Sequence, residues 1–106
     1  MVIFESFRFE AVREQYLDDL EYALLQRELI LRPDAGDLVR GSGGIRKLRW
    51  PGRGHGKRGG LRVIYYWLTR DDRLLMLTIY AKGEKADLSK AEVKALRALV
   101  NDLGSH

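Results

Sequence analysis

The residues best suited to chemistry in this chain are basic, and they lie close together in its middle third. Residues 38–70 hold nine arginines and lysines and no acidic residue, whereas residues 1–37 hold four basic and nine acidic side chains. Seven of these cations lie in the stretch 41–68, among eight glycines. Clustered cationic groups attract phosphate and gain affinity from counterion release. The segment predicts a polyanionic partner, with a merely solvated basic loop as the alternative.

The glycines do not have the spacing of a nucleotide-binding loop. A Walker A loop needs G-x-x-x-x-G-K-[ST], whereas PGRGHGKR has Pro51 in place of the first glycine and Arg58 in place of the Mg²⁺-binding hydroxyl. GSGGIR lacks the third glycine of a dinucleotide fingerprint and leads into a predicted strand. The segment has no carboxylate for a divalent metal, and the whole chain has no cysteine and two histidines, His55 and His106. We expect neither a metal nor another cofactor.

Three stretches rich in β-branched and aromatic residues position the basic residues. They are IRKLRW, LRVIYYWL and RLLMLTIYA, joined by the glycine-rich loop and by the short turn TRDDR. Such runs predict an antiparallel meander, and VIFESF predicts a further short strand before it. Alternation along the outer strand sends Ile45, Lys47 and Arg49 to one face, and Arg46, Leu48 and Trp50 to the other. Cations on such a strand bind an anion or, as the alternative, protect a sheet edge from aggregation.

Helices are predicted at both ends of the chain. Apolar residues recur at helical spacing between Glu10 and Leu31, and DDLE at 18–21 interrupts them with N-cap chemistry, so we expect a hairpin of two helices that ends at Pro33. SKAE at 89–92 is a capping box that opens an amphipathic C-terminal helix. The sequence predicts an α+β fold: an antiparallel or mixed sheet of about four strands, an N-terminal helical hairpin and a C-terminal helix.

Length and composition favour a single domain over residues 1–106. A chain of this size buries roughly two-thirds of its unfolded surface around one core. The lack of cysteine suits a reducing compartment, and the N-terminal residues lack the pattern of a signal peptide. The longest apolar run, VIYYWL, is too short to span a membrane. We expect a soluble, cytoplasmic protein.

Three blocks, in this order and spacing, carry a likeness to a known family: RKLRW, GKRGGLRVIYY and IYAKGEKADLS. They resemble the RelE/HigB group of toxins from bacterial type II toxin-antitoxin systems, within the RelE/ParE superfamily. The likeness runs from the first strand to the last helix and implies a RelE-like fold of the microbial ribonuclease type. It also implies an mRNA endoribonuclease, or mRNA interferase, that inhibits translation from the ribosomal A site. The implied partners are mRNA on the ribosome and a cognate antitoxin, which we expect to be a helix-turn-helix protein.

The resemblance assigns roles to four basic residues. Arg62 matches the family's phosphate-binding arginine, and Lys82 in YAK matches a functional basic position at the end of the last strand. Lys47 and Arg49 match basic positions on the preceding strand, although the choice between Arg46 and Lys47 stays open. We expect Arg62 and Lys82 at solvent-facing strand ends. Their cations would stabilise the phosphorane that forms when a 2′-hydroxyl attacks the adjacent phosphate.

Arginine stays protonated and cannot be the base, so the candidates for proton transfer are His55, Lys57, Tyr80 and Lys82, or another lysine whose proton affinity is lowered by neighbouring cations. Some relatives carry a tyrosine early in the last helix, where this chain reads DLSK, and this departure directs attention to Tyr80, Tyr65 or Tyr66, with core packing as the alternative for each. The catalytic candidates are Arg62, Lys82, Lys47, Arg49, Tyr80 and His55. The RNA-binding candidates are Arg46, Trp50, Arg53, Lys57 and Arg58, of which Lys57 is also a candidate base and Trp50 could stack on a nucleobase.

Two other functions fit part of the pattern. A ParE-like toxin of the same fold would bind a protein target such as DNA gyrase without cleaving RNA, and it would not need the set of Lys47, Arg49, Arg62 and Lys82. A plain RNA-binding module of the translation machinery would explain the charge, but not the three family blocks.

Overall fold

The computed structural model of the chain describes residues 1–52 and 60–104. In chain order, its elements are β1 (Val2–Glu5), α1 (Phe7–Tyr16), α2 (Asp19–Leu31), β2 (Asp37–Leu38), β3 (Ile45–Trp50), β4 (Leu61–Leu68), a 3₁₀ turn (Thr69–Asp71), β5 (Arg73–Ala81) and α3 (Lys90–Gly104). The α+β class and the order of the three α-helices agree with the sequence prediction, except that α1 begins at Phe7, within the stretch VIFESF predicted as strand and three residues before Glu10. Within this part of the chain, no helix is both long enough and apolar enough to cross a membrane.

The N-terminal helices form the predicted hairpin, and a side-chain cap marks where each helix begins. The Ser6 hydroxyl accepts the Phe9 N–H at the start of α1 and donates to the carbonyl of Leu77 at 2.7 Å, which fixes α1 to the sheet. Asp18 caps α2 and forms a capping box with Glu21. Asp18 has extended rather than helical backbone angles, so α1 and α2 are two separate helices and not one continuous helix.

The sheet is mixed and has five strands in the order β1-β5-β4-β3-β2. The β1–β5 pair is parallel, and β3, β4 and β5 form the predicted antiparallel meander. The sequence predicted about four strands. The additional strand is β2, two residues paired antiparallel with β3. Two residues are too few to produce an alternating hydrophobic pattern, and β2 was therefore not predicted.

Helices cover both faces of the central strands. On one face α1 and α2 pack over the sheet around Phe9, Leu25, Leu29, Val63 and Met76. On the other face α3 packs through Leu96 and Val100 onto Ile45, Ile64, Leu75 and Leu77. The alternation predicted for β3 is confirmed, since Ile45 belongs to the α3 face whereas Leu48 and Trp50 pack on the hairpin face.

Candidate functional site

Three of the predicted site residues form one row across the sheet. Arg62 of β4 is the direct partner of Arg49 on β3 and of Tyr80 on β5. Directly opposed residues project from the same face with Cβ atoms about 4.5–5.5 Å apart. The face is the one that α3 covers, because Tyr80 packs in the α3 cluster. We call Arg49, Arg62 and Tyr80 the cross-strand row.

A β-bulge in β5 brings Tyr80 into this row. Ile64 pairs with Thr78 while the next residue, Tyr65, pairs with Met76, so that Leu77 is an additional residue in β5. Leu75 and Leu77 lie on the α3 face, and strict alternation would continue with Ile79. Instead, Ile79 packs on the hairpin face and Tyr80 on the α3 face. The bulge therefore places a tyrosine beside the two arginines.

Arg62 is buried, which corrects the expectation of a solvent-facing strand end. Its residue is 6% exposed, and its Nη1–H donates to the carbonyl of Leu61 at 3.2 Å. The expectation was wrong because β4 is a central strand with neighbours on both sides and packed elements on both faces. A buried guanidinium is held in place by its surroundings and needs little reordering to bind phosphate oxygens bidentately.

Tyr80 is also buried, and its hydroxyl has no hydrogen-bond partner within residues 1–52 and 60–104. The Lys85 ammonium lies over its ring, 4.8 Å from the centroid. Burial raises the pKa of the Tyr80 hydroxyl, and the negative charge of Asp87 raises it further, whereas Arg62 lowers it. The net rise keeps the phenol protonated at neutral pH. Tyr80 can therefore donate a hydrogen bond or a proton beside Arg62.

An ion pair between Lys47 and Asp87 borders the row. Lys47 projects from the same face of β3 as Arg49, and its Nζ lies 3.0 Å from Oδ1 of Asp87. The same oxygen accepts the Leu88 N–H at 2.8 Å. This backbone bond, together with Lys47 and then Arg62, holds the pKa of Asp87 below its usual value. Asp87 was not among the predicted residues, because nothing local in ADLS indicates a partner 40 positions earlier.

A groove of about 1010 Å³ opens beside this ion pair, between β2 and α3. Its lining includes five cations and two carboxylates, namely Arg40, Lys47, Lys90, Lys94, Arg97, Asp37 and Asp87. One of the carboxylates, Asp87, is already paired with Lys47. The positive surface therefore continues from the cross-strand row along α3, and it includes cations outside the basic segment 38–70.

Lys82 lies at the same end of the sheet. It directly follows β5, its side chain is exposed as expected, and its N–H donates to the carbonyl of Gly60 at 3.2 Å. This bond extends the β4–β5 pairing by one residue beyond Leu61 and Ala81. Gly60 has a φ of +74°, and a Cβ there would lie 2.8 Å from the carbonyl oxygen of Trp50, so that only glycine fits.

Arg46 and Trp50 do not join the row. Arg46 projects from the opposite face of β3, where its Nη1 donates to the carbonyls of Gly36 at 2.8 Å and Asp34 at 3.3 Å. Trp50 is half-buried and packs against the hairpin-face core, beside Pro51 and Leu31. Of the two neighbouring basic residues on β3, Lys47 and not Arg46 therefore shares a face with Arg62.

The two alternative tyrosines have other contacts. Tyr65 is buried on the hairpin face; its hydroxyl donates to the carbonyl of Pro33 at 2.7 Å and accepts the Gly36 N–H at 2.8 Å. Tyr66 lies on the α3 face with the Arg97 guanidinium 5.5 Å from its ring centroid. Among the tyrosines considered, Tyr80 alone is in register with Arg62.

Four predicted residues, Arg53, His55, Lys57 and Arg58, lie outside the described residues, and their roles stay predictions. Among the residues that are described, no cluster of histidine, aspartate and glutamate could hold a metal ion. Within this part of the chain, the site consists of cations, one buried phenol and one carboxylate.

Comparison with known proteins places this geometry in a family. The family model described as the RelE toxin of the RelE/RelB toxin-antitoxin system matches residues 9–105. The chain also resembles the solved structure of a mutant of the E. coli toxin RelE in the free state, with a TM-score of 0.58, 15% identity, and coverage of 92% of this chain and 93% of that one. At that identity, the structural likeness shows the fold. The match to the family model spans nearly all of the sequence, and the chain therefore belongs to the RelE family of toxins from toxin-antitoxin systems.

Proposed function

We propose that this toxin is a ribosome-dependent endoribonuclease that cuts mRNA in the A site and thereby inhibits translation in the cytoplasm. The observation that carries the proposal is the register of Arg49, Arg62 and Tyr80, which puts two guanidinium groups and a protonated phenol on one face of the sheet. Lys47 on the same face and Lys82 beyond β5 add positive charge at this end of the sheet. A phosphodiester at this place would meet cations and a proton donor.

The proposed reaction needs no metal. The 2′-oxygen of the RNA attacks the adjacent phosphorus, the bond from phosphorus to the 5′-oxygen breaks, and the product is a 2′,3′-cyclic phosphate. Arg62 would bind two oxygens of the phosphate, while Arg49 and Lys47 would offset the charge that develops on the phosphorane. Tyr80 would donate a proton to the departing 5′-oxygen, since its raised pKa keeps the hydroxyl protonated. Lys82, Lys57 and His55 remain the proposed candidates for accepting the proton from the 2′-hydroxyl.

The ribosome would supply what this site lacks. The described residues offer many groups that stabilise negative charge, but little to hold the attacking 2′-hydroxyl in line with the bond that breaks. Alignment of reacting groups can contribute several kcal/mol to a rate enhancement. A decoding site that holds mRNA in a fixed bend could provide it. The groove along α3, with Lys90, Lys94 and Arg97, would contact further phosphates of ribosome-bound RNA.

Arg62→Ala tests the proposal with Arg70→Ala as its control. Both changes remove one arginine from the basic segment, but Arg70 is exposed and lies beyond the opposite end of β4. Purified variants should be compared for cleavage of mRNA in programmed ribosomes, after thermal unfolding has established that each is folded. We expect Arg62→Ala to lose at least about a hundredfold in rate, the scale of one oxyanion-stabilising donor, and Arg70→Ala to cut like the parent.

The proposal would be wrong if folded Arg62→Ala cut at the parent rate. If the parent arrests growth without cutting mRNA, the ParE-like alternative is favoured, and inhibition of purified gyrase becomes the decisive assay. The family also implies an antitoxin partner, which we propose is a helix-turn-helix protein encoded next to the toxin. Its co-expression should restore growth and yield a stable complex.

A further inference from the structure

Asp87 places a carboxylate among the cations of the site. One of its oxygens is 3.0 Å from the Lys47 ammonium and is also bound by the Leu88 N–H. The positive charge of Arg62 lowers the pKa of the Asp87 carboxyl, and the negative charge of Asp87 raises the pKa of the Tyr80 hydroxyl. The carboxylate is thus a singly charged, two-oxygen anion that is bound to a lysine beside the cross-strand row. A phosphodiester has the same charge and also presents two unesterified oxygens.

We propose that Asp87 occupies a phosphate subsite in the free toxin, and that an RNA phosphate binds to Lys47 by displacing the Asp87 carboxylate. This inference rests on the proposed function, because it takes the ligand to be RNA. Asp87 thereby has a role in RNA binding, because Lys47 exchanges the Asp87 carboxylate for a phosphate when RNA binds.

The strength of the ion pair is suited to such an exchange. The Asp87 side chain is 63% exposed, and that of Lys47 is 29% exposed. Exposed ion pairs contribute little to stability because water screens them, and a buried pair would resist displacement much more strongly. Asp87 lies before the first residue of α3, Lys90, so the carboxylate can leave Lys47 without unfolding the helix. The ion pair is therefore weak enough for an RNA phosphate to replace the Asp87 carboxylate.

Asp87→Asn tests the displacement directly. Asparagine removes the negative charge but keeps an oxygen that can accept the Leu88 N–H. The probe is a 2′-O-methyl RNA oligonucleotide, which cannot be cut because it has no free 2′-hydroxyl, and binding is measured by fluorescence anisotropy at low salt. We expect Asp87→Asn to tighten binding about two- to fivefold, the range that an exposed ion pair can contribute.

Two controls separate displacement from a general change of charge. Glu14→Gln also removes one exposed carboxylate, but from α1, which packs on the opposite face of the sheet. It should leave binding unchanged, since charges farther apart than the screening length interact weakly. In a Lys47→Gln background, Asp87→Asn should no longer tighten binding, because the cation that the carboxylate blocks is gone.

The outcomes distinguish this inference from the proposed function. If the parent toxin binds the probe but Asp87→Asn binds no more tightly, or more weakly, the displacement is overturned while RNA recognition stands. If the gain persists unchanged in the Lys47→Gln background, or if Glu14→Gln shows the same gain, Asp87 acts only through overall charge and the subsite is overturned. If the parent does not bind the probe at low salt, the displacement is overturned, whereas the proposed function is decided by cleavage of mRNA in programmed ribosomes.

Discussion

Arg49 and Arg62 are direct cross-strand partners, so that two arginines oppose each other on neighbouring strands of the sheet. Like charges in this arrangement destabilise a sheet by a fraction of a kcal/mol up to about 1 kcal/mol. Such a pair lowers the stability of the fold, and residues of functional sites commonly lower stability because activity requires them. The effects of each site residue on folding and on cleavage can therefore be measured separately.

Arg49→Gln should stabilise the protein and reduce its activity. The change removes the repulsion with Arg62, so we expect the free energy of unfolding to rise by a few tenths to about 1 kcal/mol. Arg46→Gln is the matched control, because Arg46 binds the carbonyls of Gly36 and Asp34 on the other face. Losing these bonds should lower stability by about 1 kcal/mol. Urea unfolding would measure the stability of both variants. An Arg49→Gln variant that is less stable than the parent, or that cuts mRNA at the parent rate, would contradict the assigned role.

Tyr80→Phe should cost activity without costing stability. The Tyr80 hydroxyl is buried without a partner within the described ranges, so its removal leaves no bond broken there. Tyr65→Phe provides the contrast, because its hydroxyl bonds both Pro33 and Gly36, and its loss should destabilise by about 1 kcal/mol or more. We expect cleavage to fall in Tyr80→Phe and to persist in Tyr65→Phe. The reverse order of activities would remove Tyr80 from the mechanism.

Lys82→Ala should abolish growth arrest while the protein stays folded. Lys82 is exposed and its ladder bond is made by the backbone, which alanine retains. Its melting temperature should therefore lie close to that of the parent, since exposed substitutions usually change stability by less than about 0.5 kcal/mol. Arg8→Ala removes an exposed cation from α1 and should remain toxic. If Lys82→Ala arrests growth at equal expression, Lys82 does not belong to the site.

The capping box of α3 gives a stability contribution with a defined pH range. Glu92 accepts the Ser89 N–H and pairs with Lys85, whose hydrogen bond is the main reason that the pKa of Glu92 lies below its usual 4.5. A lowered pKa in the folded state stabilises the protein above pH 4.5, and this contribution is lost as pH falls through the folded-state value.

Glu92→Gln isolates this charge, because glutamine can also accept the Ser89 N–H. The parent should be more stable than the variant at neutral pH, by no more than about 1 kcal/mol for so exposed a pair. The difference should vanish in acid. Thermal unfolding of both proteins between pH 2 and pH 7, a range that spans the ordinary pKa of glutamate, would measure it. A difference that grew on acidification would have the wrong sign.

The sequence predicted the parts of this structure that depend on local patterns. Strand alternation placed Lys47 and Arg49 on one face of β3, and the capping residues Asp18 and Ser89 marked the helix starts that the structure has. The family blocks also led to Arg62. Each of these signals lies within a few consecutive residues, where backbone periodicity and capping chemistry act.

The features that the sequence did not predict depend on packing between residues that are far apart in the chain. The bulge at Leu77 reverses the alternation of β5 and brings Tyr80 to the α3 face. Nothing in the sequence around Leu77 predicts a bulge. Asp87 reaches Lys47 only because the segment before α3 returns to the outer part of the sheet. The predicted meander already made β4 a central strand, but the burial of Arg62 at its start depends on the elements that pack over it, which the residues of β4 alone do not show.

The central claim is that the site cuts RNA by attack of the 2′-hydroxyl while the ribosome supplies alignment. The most direct measurement compares one mRNA, free and in ribosomes programmed with it, and determines the chemistry of the cut ends. We predict cleavage in the A-site codon of bound mRNA, a 2′,3′-cyclic phosphate or its 3′-phosphate product, much slower cutting of free RNA, and no cleavage where the nucleotide 5′ to the cut is 2′-deoxy. Equal rates on free and bound RNA, or products with a 5′-phosphate and a 3′-hydroxyl, would contradict the account.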